Sequence, residues 1–311
     1  MITKYKMEKN KNMGKYVTKI AENGSVVCYC VDTTDIVNEA EKIHKTSAVV
    51  TAALGRLMTA TSLIGANLKG KDDSVTLRIK ADGPIGALIA VSDSNGDVKG
   101  YVQNPVVELP LNKYGKLDVS GAVGKDGTLY VIKDLGFGEP YVGMNPLVSG
   151  EIAEDVTSYF ATSEQIPTVC ALGVLVNPDL SVKSAGGFIA QLLPGAMDCD
   201  IDILEKNINS LDSVTQMLEK GLTPEDIADR VLEGFAPQLL DIRNVEYRCD
   251  CSRERVKKAL FSLSDGDLNE IITEDKKAEL LCHFCNKKYN FDLDELLAIQ
   301  KEKKEKPEED K

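Results

Sequence analysis

The chain has 311 residues, with 49 acidic side chains against 37 basic ones and a net charge of −12, a balance ill-suited to binding nucleic acid through general phosphate neutralisation. An apolar content of 43% is enough to build packed cores, and the length allows about two domains. Aromatics at 5% with no Trp disfavour a stacking platform for bases or sugars.

The first dozen residues are polar and lysine-rich without periodicity or an apolar h-region, so residues 1–13 read as an extension outside the fold and not as a secretory signal. No apolar run long enough to suggest a membrane span is evident, and the expectation is a cytoplasmic chain without membrane or nucleic-acid partners. Residues 15–31 look like strands broken by the turn signal Asn23-Gly24. A short helix is expected over 35–44. Thr46 or Ser47 then caps a longer one, in which Val50, Leu54, Leu57, Thr61 and Ile64 recur at helical spacing. Small residues crowd that helix (Ala52, Ala53, Gly55, Ala60, Gly65, Ala66), which implies close packing against a sheet.

Strands are expected next at 75–80 and 85–91. Asn95-Gly96 signals a hairpin, because both turn positions favour positive φ, and it leads to a strand at 98–102. Asp126-Gly127 suggests a second hairpin between 117–123 and 129–133, and Asn177-Pro178-Asp179 a third between 169–176 and 181–193. Between the last two, residues 149–162 are amphipathic: Ile152, Val156 and Phe160 lie at i, i+4 and i+8, with Glu151, Glu154 and Asp155 at the positive end of the helix dipole. Residues 14–195 are therefore expected to form one α+β domain built on antiparallel sheets.

After Pro194-Gly195 the pattern changes to short helices, giving a helical linker over 196–246. Ile201, Leu204, Ile208 and Leu211 make one apolar stripe. Thr223-Pro224-Glu225-Asp226 combines an N-cap, a first-turn proline and first-turn acids. In that helix Ile227, Val231 and Phe235 form the apolar face, while Glu225, Asp229 and Glu233 are expected to face away. Helices this short must dock to persist. A small domain over 247–300 follows, then a charged tail over 301–311 expected to be disordered.

The small domain carries the chemistry. Cys249 and Cys251 form a C-x-C and Cys282 and Cys285 a C-x-x-C, with 30 residues between the pairs. Two such pairs are the sequence form of a four-cysteine zinc site, since zinc takes four thiolates tetrahedrally. Ser252 is placed to cap a helix over 253–260, strands are expected at 279–281 and 289–291, and Asp292 with Glu295 to cap a closing helix over 293–299. His283 sits inside the knuckle but reads as a surface residue, because four thiolates already complete the tetrahedron. The plainer alternative, four buried thiols acting as small hydrophobes, fits poorly with the polar flanks Asp250, Arg253, Asn286 and Lys287.

A module of some 50 residues buries little apolar surface, whereas zinc in such modules contributes about 10–16 kcal/mol, much of it as folding energy. The thiolates are also nucleophiles, with Arg248, Arg253 and Lys287 nearby in sequence to favour ionisation. Oxidation to disulfides would remove the ligands and unfold the module, although a permanently structural zinc module is the commoner case. Other readings are weaker. A thiol–disulfide oxidoreductase needs its C-x-x-C at a helix N-terminus in a βαβ context, a zinc deaminase needs an H-x-E, and no Walker A or G-x-S-x-G sequence occurs. Lys257, Lys258, Lys287 and Lys288 form a basic cluster that reads as a solvated face. Cys28 and Cys30, alternating on a strand, read as core thiols; Cys170 and Cys199 read as structural or incidental.

Cys249-Asp250-Cys251-Ser252 with Cys282-His283-Phe284-Cys285-Asn286 closely resembles the zinc centre of the redox-regulated heat shock protein 33 family of chaperones. The resemblance extends to Val31-Asp32-Thr33-Thr34, Thr51-Ala52-Ala53-Leu54-Gly55-Arg56, Gly83-Pro84, Gly121-Ala122-Val123-Gly124, Ile132-Lys133-Asp134-Leu135 and Pro140-Tyr141-Val142-Gly143. It continues through Leu147-Val148-Ser149-Gly150-Glu151-Ile152-Ala153-Glu154-Asp155, Ser163-Glu164-Gln165, Gly186-Gly187-Phe188 and Gln191-Leu192-Leu193-Pro194-Gly195.

Membership would imply a non-enzymatic, ATP-independent holdase, inactive when reduced and holding one zinc per chain. Oxidative stress would form the disulfides Cys249–Cys251 and Cys282–Cys285, release zinc and loosen the linker. The active form would be a homodimer that binds unfolding client proteins and passes them to ATP-dependent foldases. Ile201, Leu204, Ile208, Ile227, Val231 and Phe235 are then candidate client-binding residues, which in the resting state would serve as docking contacts.

Overall fold

The computed structural model describes residues 13–305, which divide into two compact units, the first ending at Arg248 and the second starting at Cys249. The expected N-terminal extension lies outside the described residues except for Met13, which opens a strand. The same holds for 306–311 of the expected tail.

In the first unit β1 (Met13–Ile20) and β2 (Val26–Asp32) form a hairpin, followed by α1 (Thr34–His44) and α2 (Ala48–Gly65). Then come β3 (Ser74–Ala81), β4 (Ala87–Asp93), β5 (Val98–Val102), α3 (Val119–Val123), β6 (Gly127–Asp134), β7 (Tyr141–Pro146) and α4 (Ile152–Tyr159). After α4 the chain forms β8 (Thr168–Val176), β9 (Val182–Leu192), α5 (Asp198–Ser210), α6 (Val214–Glu219), α7 (Pro224–Val231) and β10 (Gln238–Glu246). Two antiparallel five-stranded sheets result, ordered β10-β1-β2-β9-β8 and β5-β4-β3-β6-β7.

The helix α2 is the shared wall of both sheets. It packs on β3, β4 and β5 of one and on β8 and β9 of the other, as its small residues foretold. At Gly55 a Cβ would lie 2.6 Å from Val37 Cγ1 and 3.0 Å from Val174 Cγ2, so any larger residue would push these packed side chains aside. Eighteen residues long with mean hydropathy 1.4, α2 has the length and composition of a membrane span, contrary to the sequence reading, but 89% of it is buried inside the protein.

Several local expectations are corrected. Of the Asn95-Gly96 pair only Gly96 takes positive φ, and Asp93 Oδ1 closes the loop by accepting from the amides of Asn95 (2.9 Å) and Asp97 (3.1 Å). Residues 119–123 are helical, not a strand, because the Asp118 carboxylate caps the turn by accepting from Gly121 N at 3.0 Å. There is accordingly no hairpin at Asp126-Gly127: β6 starts at Gly127 and pairs with β3 and β7. Residues 238–246, expected within a run of helices, are the strand β10, which adds to β1 as an edge.

The helices α5, α6 and α7 cover the face of the first sheet opposite α2. The Thr223 hydroxyl and Asp226 carboxylate cap α7 reciprocally. Glu233 is exposed, but Glu225 and Asp229 do not face away: they pair with Lys15 and Lys19 on β1, the second pair at 2.6 Å. A polar helix face thus meets a complementary strand face beside an apolar contact made by Ile227 and Val231.

Candidate metal centre

The second unit contains α8 (Arg253–Phe261), α9 (Asp265–Glu270), the antiparallel pair β11 (Lys277–Leu281) and β12 (Lys288–Asp292), and α10 (Leu293–Glu305). Its core is small: Leu260, Leu268, Ile272, Tyr289, Phe291, Leu296 and Ile299 pack with Cys282. Both expected caps are present. Ser252 accepts from Arg255 N at 3.2 Å, and Asp292 and Glu295 bond each other's amides at 3.0 and 3.1 Å. The closing helix runs on to Glu305, so the segment expected to be disordered from Lys301 is helical over its first five residues. Lys303 explains part of this: its ammonium bonds Leu263 O and pairs with Asp265 at 2.9 Å.

The sulfurs of Cys249, Cys251, Cys282 and Cys285 lie within 4.8 Å of one another. Sulfurs of the two sequence pairs meet across the cluster, Cys249 to Cys282 at 3.7 Å and Cys251 to Cys285 at 3.4 Å. Zinc–sulfur bonds of about 2.3 Å in a tetrahedron place sulfurs about 3.8 Å apart, so the donor set and its spacing fit such an ion.

The backbone around the sulfurs is built to present them. In the knuckle, Asn286 adopts φ 56°, a conformation Asn tolerates better than most residues. Cys282 N bonds Lys287 O at 3.0 Å and Asn286 N bonds Cys282 O at 2.8 Å, which turns the Lys287 amide towards the Cys285 sulfur. The Cys251 amide does the same for Cys249. Tyr289, from β12, donates its hydroxyl to the Cys251 sulfur at 3.1 Å and lies near Cys251 O at 3.2 Å.

These contacts set Cys251 apart from Cys249 and Cys285. Burial raises Cys249 and Cys285 above the ordinary thiol value. Burial also works against the Cys251 thiolate, but the Tyr289 hydroxyl and the neighbouring thiols outweigh it and bring that thiol down to about 7. The cations expected to assist have other partners. Arg253 pairs with Glu295 at 2.7 Å and lies over the Phe291 ring, and Arg248 pairs with Asp97 at 3.2 Å. His283 is exposed. Tyr289 is the site residue that sequence reasoning missed; it was placed on a strand, and only the strand's register shows which way it points.

The candidate client-binding residues all lie in the first unit. Leu204, Ile227, Val231 and Phe235 are buried, Ile208 is half-buried and Ile201 is exposed. Ile201, Leu204 and Ile208 line an open groove of about 460 Å³ between α5 and strands β8 and β9. Cys28 and Cys30 are buried in the core, Cys170 is half-buried and Cys199 is exposed.

Comparison with known proteins agrees with this architecture over most of its length. The model of the Hsp33 protein family matches residues 15–292. The 33 kDa chaperonin of Clostridioides difficile is 53% identical over 93% of this chain and its own full length, and that of Agathobacter rectalis is 49% identical over 93% and 100%. The solved structure of the 33 kDa chaperonin (heat shock protein 33 homolog) of Thermotoga maritima superposes with a TM-score of 0.85 at 38% identity, covering 96% of this chain and all of that one.

Proposed function

The chain belongs to the Hsp33 family and is a chaperone, not an enzyme, and from that premise we propose that it is a redox-regulated, ATP-independent holdase of the cytoplasm. The observation that carries the reading is the convergence of four sulfurs, from two stretches 30 residues apart, in a unit with a small apolar core. One zinc per chain, held by Cys249, Cys251, Cys282 and Cys285 in the reduced protein, would supply a tie that this core lacks.

The resting arrangement fits inactivity, because four of the six candidate client-binding side chains are buried as docking contacts. Activation starts at a thiolate; Cys249 is raised, and the lowered thiol of the C-x-C pair is Cys251. Its sulfur attacks peroxide, one oxygen stays as sulfenic acid and hydroxide leaves; the Cys249 thiol then condenses with it, forming the disulfide and releasing water. Cys282 and Cys285 react likewise with a second peroxide. Each step consumes two metal ligands, and neither local bridge replaces the tie between the distant stretches.

Loosening of 247–300 would then free the linker 196–246 from the core domain 14–195 and expose its apolar faces to unfolding clients. The active form is proposed as a homodimer, with clients passing later to ATP-dependent foldases. The test is peroxide with gentle heating of the zinc-loaded protein. Release of close to one zinc per chain, together with suppressed aggregation of an unfolding client without ATP, is expected. Retention of zinc after oxidation would reduce the centre to a permanent structural site. Cys251→Ser with Cys285→Ser is expected to abolish reversible switching.

A further inference from the structure

A second pair of thiols lies beneath α7, and the metal centre makes no use of it. Cys28 and Cys30 are two residues apart on β2 and so point to one face of the sheet. Both are fully buried, and they pack in one cluster with Phe188 and Ala190 of β9 and Ile227 and Val231 of α7. Lys19 and Asp229, which pair across the helix–strand contact, lie beside Cys28, and Glu225, the partner of Lys15, lies near Cys30. The element over β2 is therefore one short helix, held by two ion pairs, an apolar face shared with Leu204, Val214 and Met217, and the Asn207 amide of α5, which donates to Val231 O at 3.0 Å and Glu233 O at 2.8 Å. Eight residues of helix do not persist alone in water, so its presence depends on that docking.

The two thiols are poorly placed to react with each other. Same-face neighbours on a strand are about 6–7 Å apart, whereas a disulfide needs Cβ atoms near 4 Å. Each sulfur requires a partner from outside the protein.

We propose that Cys28 and Cys30 form a cryptic site for small disulfides, shut while α7 is docked and open when it lifts, and that an adduct there prevents the helix from returning. The opening event in the cell rests on the redox-switch reading above; the site itself does not. Once α7 leaves, Lys19 loses Asp229 and remains as the cation beside Cys28, which favours its thiolate. The thiolate attacks one sulfur of the small disulfide. That bond breaks, a new S–S bond joins Cys28 to one half, and the other half leaves as a thiolate that takes up a proton from solvent. The chain is not otherwise oxidised. The attached half then occupies volume filled by Ile227 and Val231 in the closed state, and a close-packed contact does not absorb such an insertion.

The experiment uses the full-length, zinc-loaded, reduced chain carrying Cys170→Ser and Cys199→Ser, with 5,5′-dithiobis(2-nitrobenzoate) as the small disulfide and mass mapping of each adduct. Glu225→Lys with Asp229→Lys replaces both ion pairs with like-charge lysine contacts and undocks α7 without oxidant; Ile227→Asp does so from the apolar side, should the first pair fail to fold. Adducts at Cys28 or Cys30 are expected to form at least about tenfold faster than in the parent. For the block on closure, the parent is labelled in mild urea and the urea removed; trypsin is expected to cut after Arg230 faster than in unlabelled parent taken through the same step, until a thiol reductant restores the slow rate. Labelling as slow as in the parent, or as fast in the parent as in the variants, would overturn the site, and unaltered cleavage would overturn the block on closure. Peroxide-treated parent separates the two readings: labelling of the variants but not of this sample retains the site and removes oxidation as its opener.

Discussion

The hydroxyl of Tyr289 donates to the sulfur of Cys251 at 3.1 Å, linking a strand of the small unit to the lowered thiol of the C-x-C pair. Tyr289→Phe removes that donor and keeps the ring in the core. In the reduced, zinc-loaded protein, whose small unit is held folded, loss of this donor is expected to lower zinc affinity by about three- to tenfold, the equivalent of one hydrogen bond. Competition for zinc with a chromogenic chelator measures this, and an unchanged affinity would show that Tyr289 does not tune the sulfur.

In the first unit Glu164 accepts from Lys133 Nζ at 2.6 Å and from the Tyr159 hydroxyl. Burial works against its ionisation, but these two donors and the lysine charge outweigh it and hold the carboxyl below its usual range. The contribution is therefore present above the unfolded glutamate value of about 4.3 and is lost as pH falls through the lower folded value. Glu164→Gln is expected to destabilise the unit by about 1–3 kcal/mol at neutral pH. Urea midpoints for parent and variant should converge as the pH drops below about 4.

Gly150 turns the chain into α4 at φ 75°, and a Cβ there would lie 2.3 Å from Gly124 O. Gly136 has nearly the same backbone, φ 72°, with nothing within 4 Å of its Cβ position. Gly136→Ala is expected to cost about 1 kcal/mol from the backbone conformation alone, and Gly150→Ala about 2–4 kcal/mol because a clash with backbone is added. Thermal midpoints of the two variants give the comparison, and equal shifts would remove the clash as a cause.

Chelation of the reduced protein is expected to unfold the unit starting at Cys249 while the first unit keeps its sheets. Trypsin should then cut between 253 and 304 at a much higher rate, and added zinc should restore protection. If metal-free and zinc-loaded proteins are cut equally slowly, the core around Phe291 and Leu296 is sufficient without the ion.

Legibility in the sequence followed the range of the cause. Caps act within one turn, so Ser252, Thr223 and the Asp292–Glu295 pair were readable, as was the apolar repeat of α2. The cysteine spacing fixed the members of the sulfur cluster, but not that Cys251 would face Cys285 across it. β10 was unreadable as a strand because its reason for being one is β1, more than 200 residues earlier, and because Leu239, Leu240 and Ile242 are left exposed along it without a clean alternation. Val119 and Val123 argued for a strand by composition, and one carboxylate, Asp118, decided for a helix. Glu225 and Asp229 looked like a face for water because nothing local announces Lys15 and Lys19 opposite them.

The apolar wall α2 sets a limit on how far this chaperone can open. A segment with the greasiness of a bilayer span, if uncovered, would itself be prey for the machinery that recognises misfolded chains. Under the switch proposed above, exposure to clients would come from the outer layer of short helices α5, α6 and α7, with both sheets keeping α2 covered.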